Sequence, residues 1–391
     1  MKVAIIVPGW PSTQRPYLMP FFYEQVKSIA RYGGVEIDVY IESSVLAKFK
    51  LSRLIKRFLH GRDHYLFFDN SDVRLIEVKY INNKMINKFQ FIETSFIANC
   101  CKKIRQNELQ FGVYDIVHAH FFSCALVAHS YFIATGRQYI VTEHASDIDL
   151  AFGSHDRTYI SEVYSKSKKI ISVSESLRIK LIRRLGIRSD ITVIPNGIDF
   201  GTFKLKNDNS DTSGERISFI FVGHLIERKG VIKLLVALRK LMKNGYKIDL
   251  SIVGEGYLSD SIREYIEENK MDNVRLIGSV NNQLLPSYLH SHDCLVLPSE
   301  KESFGVVVAE AGACGLPVVT SRCGGPEDIV DHPDMGVVYS LQDQNGLYEA
   351  LEHICLNLGA FDSNVIRLRT EKRFSWQYVV PRILSHYGAI L

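Results

Sequence analysis

Short apolar runs alternate with amphipathic stretches along the whole chain. In the first half the runs fall at residues 3–7, 35–41, 73–78, 116–118, 139–142, 169–173 and 191–194. In the second they fall at 217–222, 247–253, 274–277, 294–297 and 317–320. Strand-length apolar runs separated by helix-length amphipathic segments predict parallel sheets joined by crossover helices. Between the halves, residues 204–216 read K-L-K-N-D-N-S-D-T-S-G-E-R. This polar stretch is an expected exposed loop and places a domain boundary near Phe200. The pattern therefore predicts an α/β fold of two doubly wound, Rossmann-like domains. Ligands of such sheets bind at the carboxyl ends of the strands, so the ligand is expected in a cleft between the two domains.

A length of 391 residues suits two domains with a core each, and 46% hydrophobic with 23% charged residues is ordinary for a globular protein. No run of about 18 uncharged apolar residues occurs, so no transmembrane helix is expected. The opening M-K-V-A-I-I-V-P reads as a short buried strand and not as a signal peptide. The seven cysteines, an odd number with no C-x-x-C pair, point to reduced buried thiols in a cytoplasmic protein. The net charge is +4, and part of the excess sits in residues 48–62. There Leu51, Leu54, Ile55, Phe58 and Leu59 share one side of a helical wheel, and Lys50, Arg53, Lys56 and Arg57 the other. Such a helix suits either an anionic lipid surface, here the inner membrane face, or docking on the N-terminal sheet. No nucleic-acid motif accompanies it.

The most informative segment is E-S-F-G-V-V-V-A-E, from Glu302 to Glu310. It follows the apolar run Cys294-Leu295-Val296-Leu297 and precedes Gly315-Leu316-Pro317, so it reads as a strand, a loop and a helix. With a helix starting near Phe304, Glu310 lies about 9 Å along its axis at ~1.5 Å per residue. A helix start offers free N–H groups and positive dipole to phosphate, and carboxylates accept hydrogen bonds from sugar hydroxyls. The combination suggests a sugar–diphosphate site.

This spacing resembles the E-x(7)-E signature of the retaining glycosyltransferases of family 4, which have the GT-B fold. The likeness continues through A-G-A-C-G-L-P-V-V (311–319) and C-G-G-P-E (323–327). Phe221-Val222-Gly223-His224-Leu225-Ile226-Glu227-Arg228-Lys229-Gly230 resembles that family's V-G-R-L-x-x-x-K-G, with His224 where arginine is usual. Histidine lacks the bidentate fork of a guanidinium. Ile252-Val253-Gly254-Glu255-Gly256 resembles its I-V-G-x-G, and Val274 to Val280 resembles the strand and loop whose backbone contacts the base. Glycines at the end of a strand would also let a ligand approach the backbone.

In the first half, Thr142-Glu143-His144-Ala145-Ser146-Asp147 resembles the family's T-x-H-G-x-D, whose histidine faces the donor sugar and the acceptor hydroxyl. Asp147-Ile148-Asp149 also has the D-x-D form of metal-dependent transferases of another fold; no metal site is assigned. Tyr114 to His120 resembles Y-D-[IV]-[VI]-H-x-H, with His120 the candidate for lining the acceptor side. In the loop Pro8-Gly9-Trp10, Gly9 is a candidate for approach to the donor phosphate, and Trp10 either stacks on a sugar or packs. Ile194-Pro195-Asn196-Gly197-Ile198-Asp199 resembles the segment that crosses between domains. Phe374-Ser375-Trp376 resembles one that precedes a terminal helix returning to the first domain. The domains expected are therefore 1–200 with 375–391, and 201–374.

The resemblance implies a metal-independent, cofactor-free, retaining enzyme that moves sugar from a nucleotide-diphosphate sugar to a glycan or lipid-linked acceptor. A UDP-sugar is favoured over a GDP-sugar. The implied catalytic residues are Glu302, His144 and Lys229. Donor binding falls to Gly9, His224, Lys229, Gly254, Val280, Glu302, Ser303, Phe304, Gly305, Val306 and Glu310; Trp10 and His120 face the acceptor. Three readings compete: a GT-B epimerase or phosphorylase, a non-catalytic sugar-nucleotide-binding scaffold, and, more distantly, an NAD-dependent oxidoreductase.

Overall fold

The computed structural model describes residues 1–11, 19–32, 34–46, 63–68, 71–82, 89–186, 190–205 and 216–388. The basic stretch 48–62 and residues 206–215 of the polar stretch lie outside the described residues. The chain forms two compact units. One comprises Met1–Val173, Leu177–Ile194 and Val380–Leu391, and the other Ser174–Ser176 and Pro195–Val379. The division falls at Ile194 and Val379, inside the segments that resemble the family's crossing and terminal-helix motifs.

The first unit is built on strands β1 (Lys2–Val7), β2 (Glu36–Leu46), β3 (Asp63–Phe68), β4 (Ser71–Asn82), β5 (Ile116–His120), β6 (Tyr139–Glu143), β7 (Lys169–Ser172) and β8 (Ile191–Val193). They lie in the order β3-β4-β2-β1-β5-β6-β7-β8. Every ladder is parallel except β3 against β4. Ile5 is in register with Val39 on one side and His118 on the other. The second unit carries β9 (Ile217–Val222), β10 (Ile248–Val253), β11 (Val274–Gly278), β12 (Cys294–Leu297), β13 (Val318–Ser321) and β14 (Gly336–Tyr339), all parallel in the order β11-β10-β9-β12-β13-β14.

The crossover helices carry one apolar stripe each. Helix Pro20–Tyr32 buries Phe22, Gln25, Val26, Ile29 and Ala30, and helix Val231–Lys243 buries Val231, Leu234, Leu235, Leu238 and Leu241. Both sets follow helical spacing. Among the described residues, twelve of the fourteen strands are those the apolar runs predict. The antiparallel edge strand β3 and the four-residue β14 are additions. At the start of β14, Gly336 has φ 138°, and any side chain there would overlap the Val318 carbonyl oxygen. The pairing of β14 with β13 therefore depends on a glycine.

In each sheet the strand order reverses at a central strand: β1 has β2 and β5 as neighbours, and β9 has β10 and β12. Connections leave such a strand in opposite directions, which opens a crevice at the carboxyl ends. The residues at those ends are Gly9 and His120 in the first unit, and Gly223 and Ser299 in the second.

Away from that edge, the first sheet holds a buried ionic network. Asp38 on β2 and Arg74 on β4 are register partners and form a two-point ion pair, with Arg74 Nε 3.0 Å from Asp38 Oδ1. The Tyr114 hydroxyl also donates to Asp38, Tyr40 and Tyr114 share a 2.8 Å hydrogen bond, and Asn107 donates to Tyr40. The Arg74 guanidinium lies 3.7 Å from the centre of the Phe111 ring. Removing one member of a buried pair strands the other charge. Arg74→Met is therefore expected to lower unfolding free energy by ~3–5 kcal/mol in urea denaturation. Asp38→Leu combined with Arg74→Leu should cost clearly less than Arg74→Met alone.

Candidate active site

In the second unit, β9 ends at Val222 and the chain turns through Gly223 and His224 into a 3-10 turn, Glu227–Lys229. Gly230 (φ 72°) follows and abuts the Pro298 carbonyl so closely that only glycine fits. That contact draws Lys229 toward the end of β12. There Lys229 Nζ pairs with Glu302 Oε1, and Ser299 Oγ donates to the same oxygen at 2.8 Å. The two charged side chains are 14% and 10% exposed, so the pair is largely desolvated. Glu302 is fixed through its backbone as well. Its N–H donates to Cys323 O and its carbonyl accepts from Gly325 N, which joins it to the C-G-G-P-E loop. Glu327 Oε2 accepts from Gly324 N at 2.8 Å and holds that loop in turn.

The helix after Glu302 runs from Val306 to Ala313 and is capped by Gly305 in the left-handed region, φ 85°. It begins two residues later than the sequence suggests, because Phe304 is a core residue. Its ring packs 5.6 Å from that of Phe374, and the Phe304 backbone lies against Gly325. Phe304 can therefore serve a ligand only through its backbone. Ser303 and Val306 are half-buried beside it, where the first turn's N–H groups have no acceptor within the helix. With this start, Glu310 lies about 6 Å along the axis instead of ~9 Å. It is 7% exposed, and burial alone pushes its carboxyl up to about 8, with no hydrogen bond or cation offsetting it. Arg367, which no sequence motif marked, holds the far end of this helix. It donates to Ala313 O and Phe203 O.

At the G-x-G, a side chain at Gly254 (φ 138°) would overlap Gly223 O, and one at Gly256 would overlap Leu225 O. These glycines let the loops after β9 and β10 lie against each other. Val280 follows β11 and is half-buried, beside the Ser279–Glu255 hydrogen bond of 2.9 Å. His224 is exposed.

In the first unit three histidines meet at the ends of β5 and β6. His118 Nε2 lies 2.7 Å from Thr142 Oγ1, and His118 Nδ1 lies 2.7 Å from the Tyr387 hydroxyl, so this histidine is structural. His120 stacks on it with ring centres 4.2 Å apart, and His120 Nδ1 is 2.9 Å from His144 Nε2. His120 is 1% exposed. It cannot line an acceptor pocket as the sequence suggested, since its ring is enclosed behind His144. His144 is 6% exposed and ringed by Phe21, Phe22 and Phe121 at 5.1–5.4 Å. Burial drives the pKa of His144 down to about 3, and burial assisted by His144 and His386 does the same to His118. The cluster is neutral at pH 7. Phe121 has φ 67°, a strained conformation for a bulky residue of the kind that collects at functional sites.

The turn carrying His144 is held by Glu143, the unspecified position of the T-x-H pattern. Its Oε1 accepts from the backbone N–H of His144 and Ala145 at 2.8 Å each, and its Oε2 accepts from the Tyr164 hydroxyl at 2.7 Å. Gly9 is buried, and Trp10 packs edge-on against Tyr23 at 6.0 Å. Asp147 caps the helix Ile148–Phe152 and Asp149 pairs with Arg184 at 2.6 Å, so both D-x-D carboxylates have structural partners.

The Glu310 carboxyl makes a pH prediction. A buried acid with a raised pKa binds a proton in the folded state that the unfolded chain has already lost. Its contribution to stability is thus present below about 4.5 and disappears as pH rises through about 8. Thermal unfolding of Glu310→Gln should match wild type near pH 5, exceed it by about 1.4 kcal/mol more for each pH unit up to about pH 8, and level off above that.

With the geometry in place, the chain can be compared with known proteins. Glycosyl transferases group 1 matches residues 203–359, and Glycosyltransferase Family 4 matches residues 58–201. Glycogen synthase of Mycobacterium tuberculosis is 30% identical over 290 residues, 70% of this chain and 69% of that protein. The capsular polysaccharide biosynthesis glycosyltransferase CapM of Staphylococcus aureus is 29% identical over 237 residues, 57% of this chain and 62% of CapM. Among solved structures, Anabaena HepE in complex with UDP-glucose superposes with a TM-score of 0.72 at 17% identity, covering 100% of both chains. Two doubly wound units, a full-length structural match and sequence matches across both halves agree: the chain belongs to the family 4 type of glycosyltransferase and has the GT-B fold.

Proposed function

We propose that this chain is a retaining, metal-independent hexosyltransferase. It moves a sugar from a nucleotide-diphosphate sugar, with UDP favoured, to a hydroxyl of a glycan or lipid-linked acceptor in surface polysaccharide synthesis. The observation that carries this reading is the desolvated Lys229–Glu302 pair beside the first turn of helix Val306–Ala313. Breaking a sugar–diphosphate bond leaves negative charge on the departing phosphate. A lysine held by Glu302 and a helix start are fixed positive groups that stabilise such charge without reorganising. Gly305 and the backbone N–H groups of Ser303, Phe304 and Val306 serve the same diphosphate. His224 donates to it where the family usually has arginine. Val280 meets the base through its backbone.

Glu302 has a second carboxylate oxygen for donor-sugar hydroxyls. Glu310 takes the ribose hydroxyls. Two O–H donors favour its ionised form, so binding would draw its pKa back down. In the first unit, His144 orients a sugar hydroxyl as a neutral ring. The leaving diphosphate oxygen then takes the proton of the attacking acceptor hydroxyl on the same face, and configuration is kept. The reading needs no enzyme nucleophile. HepE's complex with UDP-glucose and CapM's role in capsule synthesis support the substrate class. Among the described residues no helix is long and apolar enough to cross a membrane. The basic stretch 48–62 suits a lipid-linked acceptor at the inner membrane face.

The test is release of nucleoside diphosphate from a panel of nucleotide sugars in the presence of a chelator. One donor should be cleaved slowly without acceptor, and Lys229→Ala and Glu302→Ala should each lower its release at least ~100-fold, the scale of one lost charge-stabilising group. Donors that bind and are never cleaved, with cell-extract acceptors present, would instead make this a binding module, and His224→Arg the first substitution to try.

A further inference from the structure

Among the described residues, three buried side-chain nitrogens lack a hydrogen-bond partner: Trp376 Nε1, His386 Nε2 and His144 Nδ1. Trp376 and His386 are only half-buried, whereas His144 is enclosed. An unmet polar atom this deep in an aromatic cluster calls for an explanation. The His120–His144 contact supplies one. Both rings are neutral, so the single 2.9 Å bond between His120 Nδ1 and His144 Nε2 holds one proton. Only two arrangements exist. If His120 donates, His144 must carry its own proton on Nδ1, which leaves a buried N–H with no acceptor. If His144 donates from Nε2, its Nδ1 is a bare lone pair and the His120 proton moves to Nε2, which is not one of the unpartnered buried atoms. Orphaned buried N–H groups are the rarer and costlier arrangement.

We propose that His120 is a positioning residue that fixes His144 as its Nε2–H tautomer, so that Nδ1 is a hydrogen-bond acceptor reserved for a sugar hydroxyl. The proposal rests on the transferase reading for the identity of that hydroxyl, and on the first unit's geometry for the rest. It adds a specificity rule. The group meeting His144 must donate a proton, because His144 has none to give on that side. A hydroxyl satisfies this; a fluorine, ether or bare methylene at the same sugar position does not. Sites built to bond a substrate hydroxyl discriminate strongly, since the analogue leaves a buried polar atom unpaired. Phe21, Phe22 and Phe121 lie with ring centres 5.1–5.4 Å from that of His144 and offer Nδ1 no polar partner. The neighbouring His118 is tied to Thr142 and Tyr387 and does not compete for His120 Nδ1.

The first measurement is the side-chain 15N spectrum of the full-length protein at pH 7, with His144 assigned by the signal missing in His144→Gln. The expected pattern is an unprotonated Nδ1 and a protonated Nε2; a protonated Nδ1 overturns the proposal. His120→Leu should blur or invert that pattern and cut kcat/KM ~10–100-fold, the usual effect of losing such an orienting partner. His120→Asn, whose side-chain oxygen can accept from Nε2–H, should restore both. An unchanged His144 spectrum in a folded His120→Leu protein also overturns it. With monodeoxy and monofluoro donors or acceptors, one sugar position should fail equally in both forms. Tolerance of fluorine where deoxy fails would mean that Nδ1 donates. The spectrum requires no turnover. An Nε2–H tautomer in a protein that transfers no sugar therefore removes the transferase reading alone, and transfer by a protein with Nδ1–H removes this inference alone.

Discussion

Parallel strands all point their carboxyl ends the same way, and this constraint orders everything else in the molecule. A parallel ladder forces its connections to cross over, so every loop after a strand emerges on one edge, except after the antiparallel β3. In the first unit that edge collects Gly9, His120 and His144 from three strands that are far apart in sequence. In the second it collects Gly223, Lys229, Ser299 and Glu302. None of these groups needs a long-range design of its own. His120 ends its strand and each of the others sits one to seven residues beyond the end of one, and the register of the sheet does the rest.

The two units handle charge in opposite ways. The first holds its site histidines neutral, because burial lowers the basicity of His118, His120 and His144; burial also raises the Glu143 carboxyl, against the Tyr164 hydroxyl and backbone N–H bonds that pull it down. The second keeps an ion pair, Lys229 with Glu302, and a lone acid, Glu310. A desolvated pair is tolerable because Ser299 also donates to the paired oxygen of Glu302 and the Cys323–Gly325 loop holds its backbone. A lone buried carboxyl is not compensated in this way. Burial alone raises its pKa, and perturbed titration of this kind collects at functional sites.

Much of this was legible in the chain because apolar runs are a local signal. The short strands β1, β5 and β12 are fully buried, and the apolar composition that buries them also identifies them. β3 was not legible, since an antiparallel edge strand is defined by its partner β4 and not by its own composition. The four residues of β14 are too few to stand out, and their pairing rests on Gly336. The helix start was misread for a related reason. In S-F-G-V nothing local says that the phenylalanine belongs to the core beside Phe374 and that the glycine is the cap; only the packing of Phe304 decides it.

The candidate site shows a sharper limit. Lys229, Glu302 and Glu310 were found because a spacing pattern names them, and His144 for the same reason. Glu143, Ser299 and Arg367 were missed, although each fixes a named residue or the element that carries it, because a pattern records the residue that meets the ligand and leaves its support unspecified. The glycines err the other way. Gly254 and Gly256 fit a ligand-approach motif, yet what they admit is the backbone of Gly223 and Leu225. A glycine motif states only that something approaches closely. Whether that is a phosphate or another loop is a property of the sheet order: β10 lies next to β9, so its loop meets the loop of β9 first. The same reasoning relocates His120. Its place at the end of β5 puts it at the right edge, but its ring is 1% exposed and packs against those of His118 and His144, and packing of that kind is not written in the motif.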